Sequence, residues 1–230
     1  MISISSLTKT YGREPVVNIS NLTIRKGESF GLVGNNGAGK TTLFRMLLDL
    51  IRPTQGTVTL NGKNVQGQDD WKKYVGSYLD ESFLIPYLTP DEYFKFVGML
   101  HQYSDADLHQ FLQNFEELFN DEITGKQKRI GELSKGNLKK VGIAAAFIGN
   151  PAVVILDEPF ENLDPTSQIR LKRLLQREKE RRAITYLISS HDLNHVTEIC
   201  GRIVILEKGM VVKDIVGDDL LPQLEEYFKA

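Results

Sequence analysis

The chain has 230 residues, with 28 Lys+Arg against 30 Asp+Glu and a net charge of −2. That length supports one α/β domain with a smaller lobe, and the balanced charge gives no electrostatic basis for a nucleic-acid partner. A single cysteine, Cys200, excludes an intramolecular disulfide, and no apolar run approaches the roughly 20 residues of a membrane-spanning helix.

The N-terminus, Met1-Ile2-Ser3-Ile4-Ser5, alternates like a strand and lacks the layout of a signal peptide, so the chain is expected to be soluble by itself. Strands are expected at 2–7, 16–19, 22–24 and 29–33, separated by turns such as Lys26-Gly27. The last of these contains the apolar run Phe30-Gly31-Leu32-Val33, which reads as buried. It leads into Gly34-Asn35-Asn36-Gly37-Ala38-Gly39-Lys40-Thr41, a G-x-x-x-x-G-K-[ST] pattern, and residues from Thr42 to position 50 read as a helix. Strand, glycine loop and helix in that order make a phosphate-binding loop. The glycines allow a tight turn whose N–H groups aim at an anion, and the helix N-terminus adds its partial positive charge. In such a loop Lys40 is placed for the β- and γ-phosphates and the Thr41 hydroxyl for Mg²⁺.

Beyond a strand at 57–60 the composition turns helical. Thr89-Pro90-Asp91-Glu92 is a capping box with proline at the first helical position, followed by the apolar face Tyr93, Phe94, Phe96, Val97 and Leu100. A second helix is expected to open at Ser104, because Leu108, Phe111, Leu112, Phe115, Leu118 and Phe119 hold one stripe at helical spacing. The last third alternates: strand 153–156, helix 165–182, strand 184–189, helix 192–199, strand 202–206, the pattern of a parallel α/β sheet. An α/β core of residues 1–85 and 151–230, interrupted by a helical subdomain at 86–150, follows from that order. Three basic clusters, Lys126/Lys128/Arg129, Lys139/Lys140 and Lys179/Arg181/Arg182, are each assigned to a solvated face, and Cys200 to the core.

The strand at 153–156 ends in Asp157 and Glu158. Asp157 at a strand's carboxyl end is placed to hold Mg²⁺, commonly through water. Glu158 is placed to orient and polarise a water for in-line attack on a γ-phosphate. With the upstream loop these form a Walker A and Walker B set.

On these residues the chain resembles the ATP-binding cassette (ABC) ATPases along nearly its whole length. Leu133-Ser134-Lys135-Gly136-Asn137 is similar to the LSGGQ signature, Pro159 to Asp164 to the stretch leading into the D-loop, and Ser189-Ser190-His191-Asp192 to the switch histidine. Thr10-Tyr11-Gly12 is similar to the adenine-stacking loop, and Gly76 to Glu81 lies where the family carries its Q-loop. The resemblance implies a P-loop NTPase core with a mainly parallel sheet, an N-terminal antiparallel β region and an inserted helical subdomain. It implies ATP and Mg²⁺ as cofactors, bound by Tyr11, the loop from Gly34 through Asn35, Asn36, Gly37, Ala38, Gly39, Lys40 and Thr41 to Thr42, and the metal contacts Thr41, Glu81 and Asp157. Glu158, His191 and Lys40 would carry catalysis.

The family reading also implies a head-to-tail dimer with itself or a paralogous cassette, in which Ser134, Gly136, Asn137 and Asp164 of one chain face the nucleotide of the other. Ser134 and Asp164 have a second reading as helix N-caps, which is compatible with the first. The sequence departs from the pattern in three places. Glu81, or Asp80 if the register shifts by one, replaces the Q-loop glutamine; Lys135 and Asn137 replace a glycine and a glutamine of the signature; Phe160 replaces a small polar residue. The lysine and glutamate resemble the branch serving bacterial exporters. The implied function is that of the ATP-hydrolysing subunit of an ABC transporter, peripheral on the cytoplasmic face of the membrane through a separate permease. The alternative is a soluble cassette not coupled to transport, such as the iron–sulfur assembly type.

Overall fold

The computed structural model describes residues 1–217 and 220–229. In chain order the elements are β1 (Ile2–Tyr11), β2 (Glu14–Ile24), β3 (Ser29–Val33), α1 (Lys40–Leu47), β4 (Gln55–Leu60), β5 (Lys63–Asn64) and β6 (Val75–Tyr78). Four helices follow, α2 (Pro90–Leu100), α3 (Asp105–Leu112), α4 (Glu116–Phe119) and α5 (Lys135–Phe147), then β7 (Val153–Leu156) and α6 (Pro165–Arg182). The chain continues through β8 (Thr185–Ser190), α7 (Leu193–Thr197), β9 (Arg202–Glu207), β10 (Met210–Val216) and α8 (Leu220–Lys229). It divides into two compact units, Met1–Lys72 with Ile184–Ala230, and Lys73–Ala183.

The first unit holds two kinds of sheet. One is antiparallel, in the order β2-β1-β4-β5. Its β4–β5 hairpin turns at Asn61-Gly62, whose φ values of 50 and 80 give the two left-handed residues that match a tight turn to strand twist. The two runs expected at 16–19 and 22–24 are a single strand, β2, paired with β1 from Ile2↔Ile24 to Tyr11↔Glu14. They read as two because the buried set changes phase, from Val17 and Ile19 to Leu22 and Ile24, beside Ser6 of β1 at φ 49. The other sheet places β3 between β8 and β9, parallel to both, with β10 antiparallel on β9. Every residue of β3 and β8 is buried, as continuous apolar strands of parallel sheets are.

The second unit pairs β6 with β7 in parallel, from Val75↔Val153 to Tyr78↔Leu156. Its helices pack on an aromatic core in which the rings of Phe94 and Phe119 lie 5.7 Å apart, and those of Phe115 and Phe147 5.8 Å apart. The capping box at Thr89 and Glu92 is formed in both directions. The helix expected to run on from Ser104 is broken: α3 ends at Leu112, a 3-10 turn covers Gln113–Phe115, and α4 resumes at Glu116. Asn114 supplies a local reason, since its amide donates to the Phe111 carbonyl at 2.8 Å and competes with the backbone ladder. Among the described residues no helix is long and apolar enough to cross a membrane.

Candidate functional site

In the first unit the parallel register Val33↔Ser190 brings the ends of β3 and β8 side by side. Gly34 and His191 therefore leave the same carboxyl edge, where α/β sheets bind ligands. Gly37 and Gly39 take φ values of 84 and 105. Gly34 does not; it is required for a different reason, since a Cβ there would lie 2.3 Å from the Leu206 carbonyl oxygen. Ala38 N–H donates to the Asn35 carbonyl at 3.0 Å, closing the turn, and Asn35, Asn36 and Gly37 remain exposed.

Lys40 is only 6% exposed. Its ammonium folds back over the loop, donating to the Gly34 carbonyl at 2.6 Å and the Asn35 carbonyl at 3.4 Å. Gly39 caps α1, no side chain bonds to that helix end, and no acidic residue stands in the first turn, which Lys40, Thr41 and Thr42 open. Backbone amides, a helix N-terminus and a lysine thus act on one point with no carboxylate in that turn to offset them, a donor set that fits polyphosphate. His191 is exposed just beyond β8, and Asp192 behind it caps α7 by accepting from Asn194 N–H at 2.9 Å. Tyr11 ends β1 with an exposed ring, and Lys9 Nζ stands 4.9 Å from its centroid.

In the second unit, β7 delivers Asp157, buried, and Glu158 at the same edge as the end of β6; Asp157 N–H donates to the Tyr78 carbonyl at 2.9 Å. Glu158 stands at φ 46, a left-handed conformation that a residue with a side chain adopts only under constraint. Past β6, the Asp80 carboxylate caps the turn Glu81–Phe83, accepting from Ser82 N–H at 2.9 Å and from the Ser82 hydroxyl, whereas Glu81 is exposed. Among the described residues no three His, Cys, Asp or Glu side chains converge to hold a metal on their own. Mg²⁺ does not need such a cage, because it keeps waters and phosphate oxygens beside one or two carboxylates, and Asp157 is a carboxylate of that kind.

Ser134 caps α5, its Oγ accepting from Asn137 N–H at 3.3 Å. Gly136 leaves room for the Asn162 carbonyl oxygen, which a Cβ would approach to 2.9 Å. Asp164 caps α6 through Ser167 N–H at 3.0 Å, and hydrogen bonds from Ser167 hold its carboxyl below the usual range. Phe160 is a core residue.

One expectation fails outright: Lys139 and Lys140 do not lie on a solvated face. They are 6% and 3% exposed. Lys139 Nζ donates to the Glu158 carbonyl at 2.5 Å, and Lys140 Nζ bonds Glu122 at 3.2 Å. The sequence holds one signal of this. They open the run Val141-Gly142-Ile143-Ala144-Ala145-Ala146-Phe147, which has no polar face and is buried at every position but Ala145.

The family model described as ABC transporter matches residues 17–161. The bacitracin transport ATP-binding protein BcrA of Bacillus licheniformis is 32% identical over 234 residues, covering 100% of this chain and 74% of that protein. An uncharacterized ABC transporter ATP-binding protein of Synechocystis sp. is 35% identical over 86% of this chain, and the chain spans 57% of its length. Among solved structures, a dimeric ATP-binding cassette in a post-hydrolysis state, bound to ADP and Pi, is similar with a TM-score of 0.83 and 26% identity, covering 94% of this chain and 98% of that one.

Proposed function

Since the chain belongs to the ABC transporter family and is an ABC-type ATPase, we propose that it drives a separate membrane permease by binding and hydrolysing MgATP. The observation that carries this reading is the phosphate loop: a buried lysine, a glycine-capped helix end and no acidic residue in the first turn. In the first unit, residues Gly34 to Thr42 cradle the phosphates. Lys40 exchanges its loop carbonyls for the β- and γ-phosphates, the Thr41 hydroxyl ligates the metal, His191 contacts the γ-phosphate, and Tyr11 stacks on adenine. In the second unit Asp157 and Glu81 are the metal-facing carboxylates, and Glu158 orients water and accepts its proton. Attack on the γ-phosphorus breaks its bond to the bridging oxygen and releases ADP and phosphate. Mg²⁺, when bound, neutralises charge developing on the phosphate oxygens.

Two chains, identical or paralogous, pair head to tail, with Ser134, Gly136, Asn137 and Asp164 of one facing the nucleotide of the other. The helix end that Ser134 caps supplies a second positive pole for the γ-phosphate. The permease docks near Asp80 to Leu88. Phe83 and Tyr87 are 50% and 69% exposed there while Leu84 is buried, so the segment presents apolar surface as well as filling the core. Docking holds the chain on the cytoplasmic face of the membrane, and the direction of transport is export.

Calorimetric titration with MgATP tests the loop. Lys40→Ala loses most affinity because it removes the cation from the β/γ-phosphates; unchanged binding would place the nucleotide elsewhere.

A further inference from the structure

Lys139 has no part in the roles assigned above, yet its surroundings are those of a functional group. It lies in the second turn of α5 and is almost wholly buried, where an ammonium is retained only when hydrogen-bonded and offset by opposite charge. Both conditions are met at Glu158. The ammonium donates to the Glu158 carbonyl at 2.5 Å, and that residue holds the left-handed φ of 46. The turn continues with Glu161 N–H donating to the same carbonyl at 3.3 Å. Burial pushes the Lys139 ammonium below its ordinary range, against the pull of the Glu161, Glu158, Glu81 and Asp157 carboxylates around it. A neutral donor would meet the hydrogen bond alone; the lysine also meets four carboxylates, Glu81 among them.

We propose that Lys139 is the positioning residue of Glu158: it clamps the carbonyl of the turn that aims the Glu158 carboxylate, and its charge offsets the extra carboxylate of Glu81. The inference rests on Glu158 as the residue that orients water. It links the signature helix α5 to the carboxylate edge, so that the element proposed to meet a partner's nucleotide also holds the residue that acts on water.

The test uses the full chain, with phosphate release for kcat and calorimetric titration with MgATP for Kd. Lys139→Met lowers kcat roughly tenfold or more while Kd stays within about twofold, a loss confined to the chemical step. Removing the opposing charge as well, in Lys139→Met/Glu81→Gln, raises kcat severalfold above Lys139→Met, the non-additivity expected of coupled charges. Glu158→Gln serves as reference. If it is inactive while Lys139→Met keeps the wild-type kcat, the inference fails and the reading of Glu158 stands. If Glu158→Gln itself turns over like wild type, the reading fails and takes the inference with it. A double variant no faster than Lys139→Met overturns the charge offset. Should circular dichroism show Lys139→Met unfolded, Lys139→Gln takes its place; if both are unfolded even with Glu81→Gln, Lys139 is a folding residue and the proposal is wrong.

Discussion

Substituting Ser134 by alanine and by arginine separates its two proposed jobs. As an N-cap, Ser134 Oγ accepts one bond from Asn137 N–H, and at 3.3 Å that bond is long. Its loss therefore costs at the lower end of the usual range, about 0.5–1 kcal/mol. For a chain of this size that lowers Tm by only ~1–4 °C. Ser134 is exposed, so an arginine has solvent to extend into, and the two variants should melt within a degree or so of each other. Neither alters residues 34–42, so both should bind MgATP as the wild type does. They part at dimerisation. In a Glu158→Gln background, where bound ATP persists, gel filtration with MgATP should find the alanine variant dimeric and the arginine variant monomeric, because bulk and a long side chain then stand at the helix end that would meet the partner's nucleotide. An arginine variant that elutes as a dimer would refute the head-to-tail arrangement. One that melts many degrees below the alanine variant would show that Ser134 is packed rather than open.

Three further outcomes follow from the geometry. Gly39→Ala combines φ 105 with a Cβ only 2.6 Å from the Val16 carbonyl oxygen, so it should cost at least ~1–3 kcal/mol in chemical denaturation and weaken MgATP binding; a variant as stable as wild type would contradict the loop geometry. Burial raises the Glu122 carboxyl, but bonds from Lys140 and Asn120 outweigh it and hold the group below its ordinary 4.5; its contribution is therefore present above that value and lost as pH falls through the lower folded value. The stability gap between wild type and Glu122→Gln should accordingly close below pH 4.5 in urea titrations, and a gap that widens there would reverse the sign. Phe83→Glu and Tyr87→Glu, both on exposed positions, should leave folding and ATP turnover in place but abolish co-purification with the permease from detergent-solubilised membranes; retained co-purification would sink the docking proposal.

Those parts of the fold that depend on local pattern could be read directly. The buried strands β3, β7 and β8 announce themselves as short apolar runs, and Thr89-Pro90-Asp91-Glu92 encodes its cap within four residues. What escaped depends on contacts distant in the chain or on weak composition. Val75–Tyr78 contains Gly76 and Ser77, poor strand formers, and is a strand because it pairs with β7 nearly eighty residues on. Gly76 is itself demanded by that packing, since a Cβ there would fall 1.7 Å from the Ala146 carbonyl oxygen. β10 alternates weakly and is held by its antiparallel register with β9. The break between α3 and α4 was hidden because the apolar stripe runs straight through it: Phe115 is buried in a 3-10 turn as it would have been in a helix.

The site divides in the same way. The phosphate loop, Asp157, Glu158 and the two serine- and aspartate-capped helices are legible because their chemistry lies in residues adjacent in sequence. Lys139 and Lys140 are not, because a lysine is by default a surface residue, and only a partner 19 or 18 positions away makes burial tolerable. Spacing leaves Asp80 and Glu81 as two choices, and their surroundings differ. Ser82 engages the Asp80 carboxylate in capping the turn, whereas Glu81 is exposed, which favours Glu81 for the proposed metal-facing role. A carboxylate in place of the glutamine that the resemblance implies adds to the negative charge that Asp157 and Glu158 already exert around Lys139 and would, alone, repel a polyphosphate. A buried ammonium bonded to the Glu158 backbone returns that charge to balance without occupying a ligand position. On the proposal made for Lys139, the departure at Glu81 and the unexpected burial of Lys139 are one feature, and a chain that carried the first without the second would be expected to hydrolyse ATP poorly.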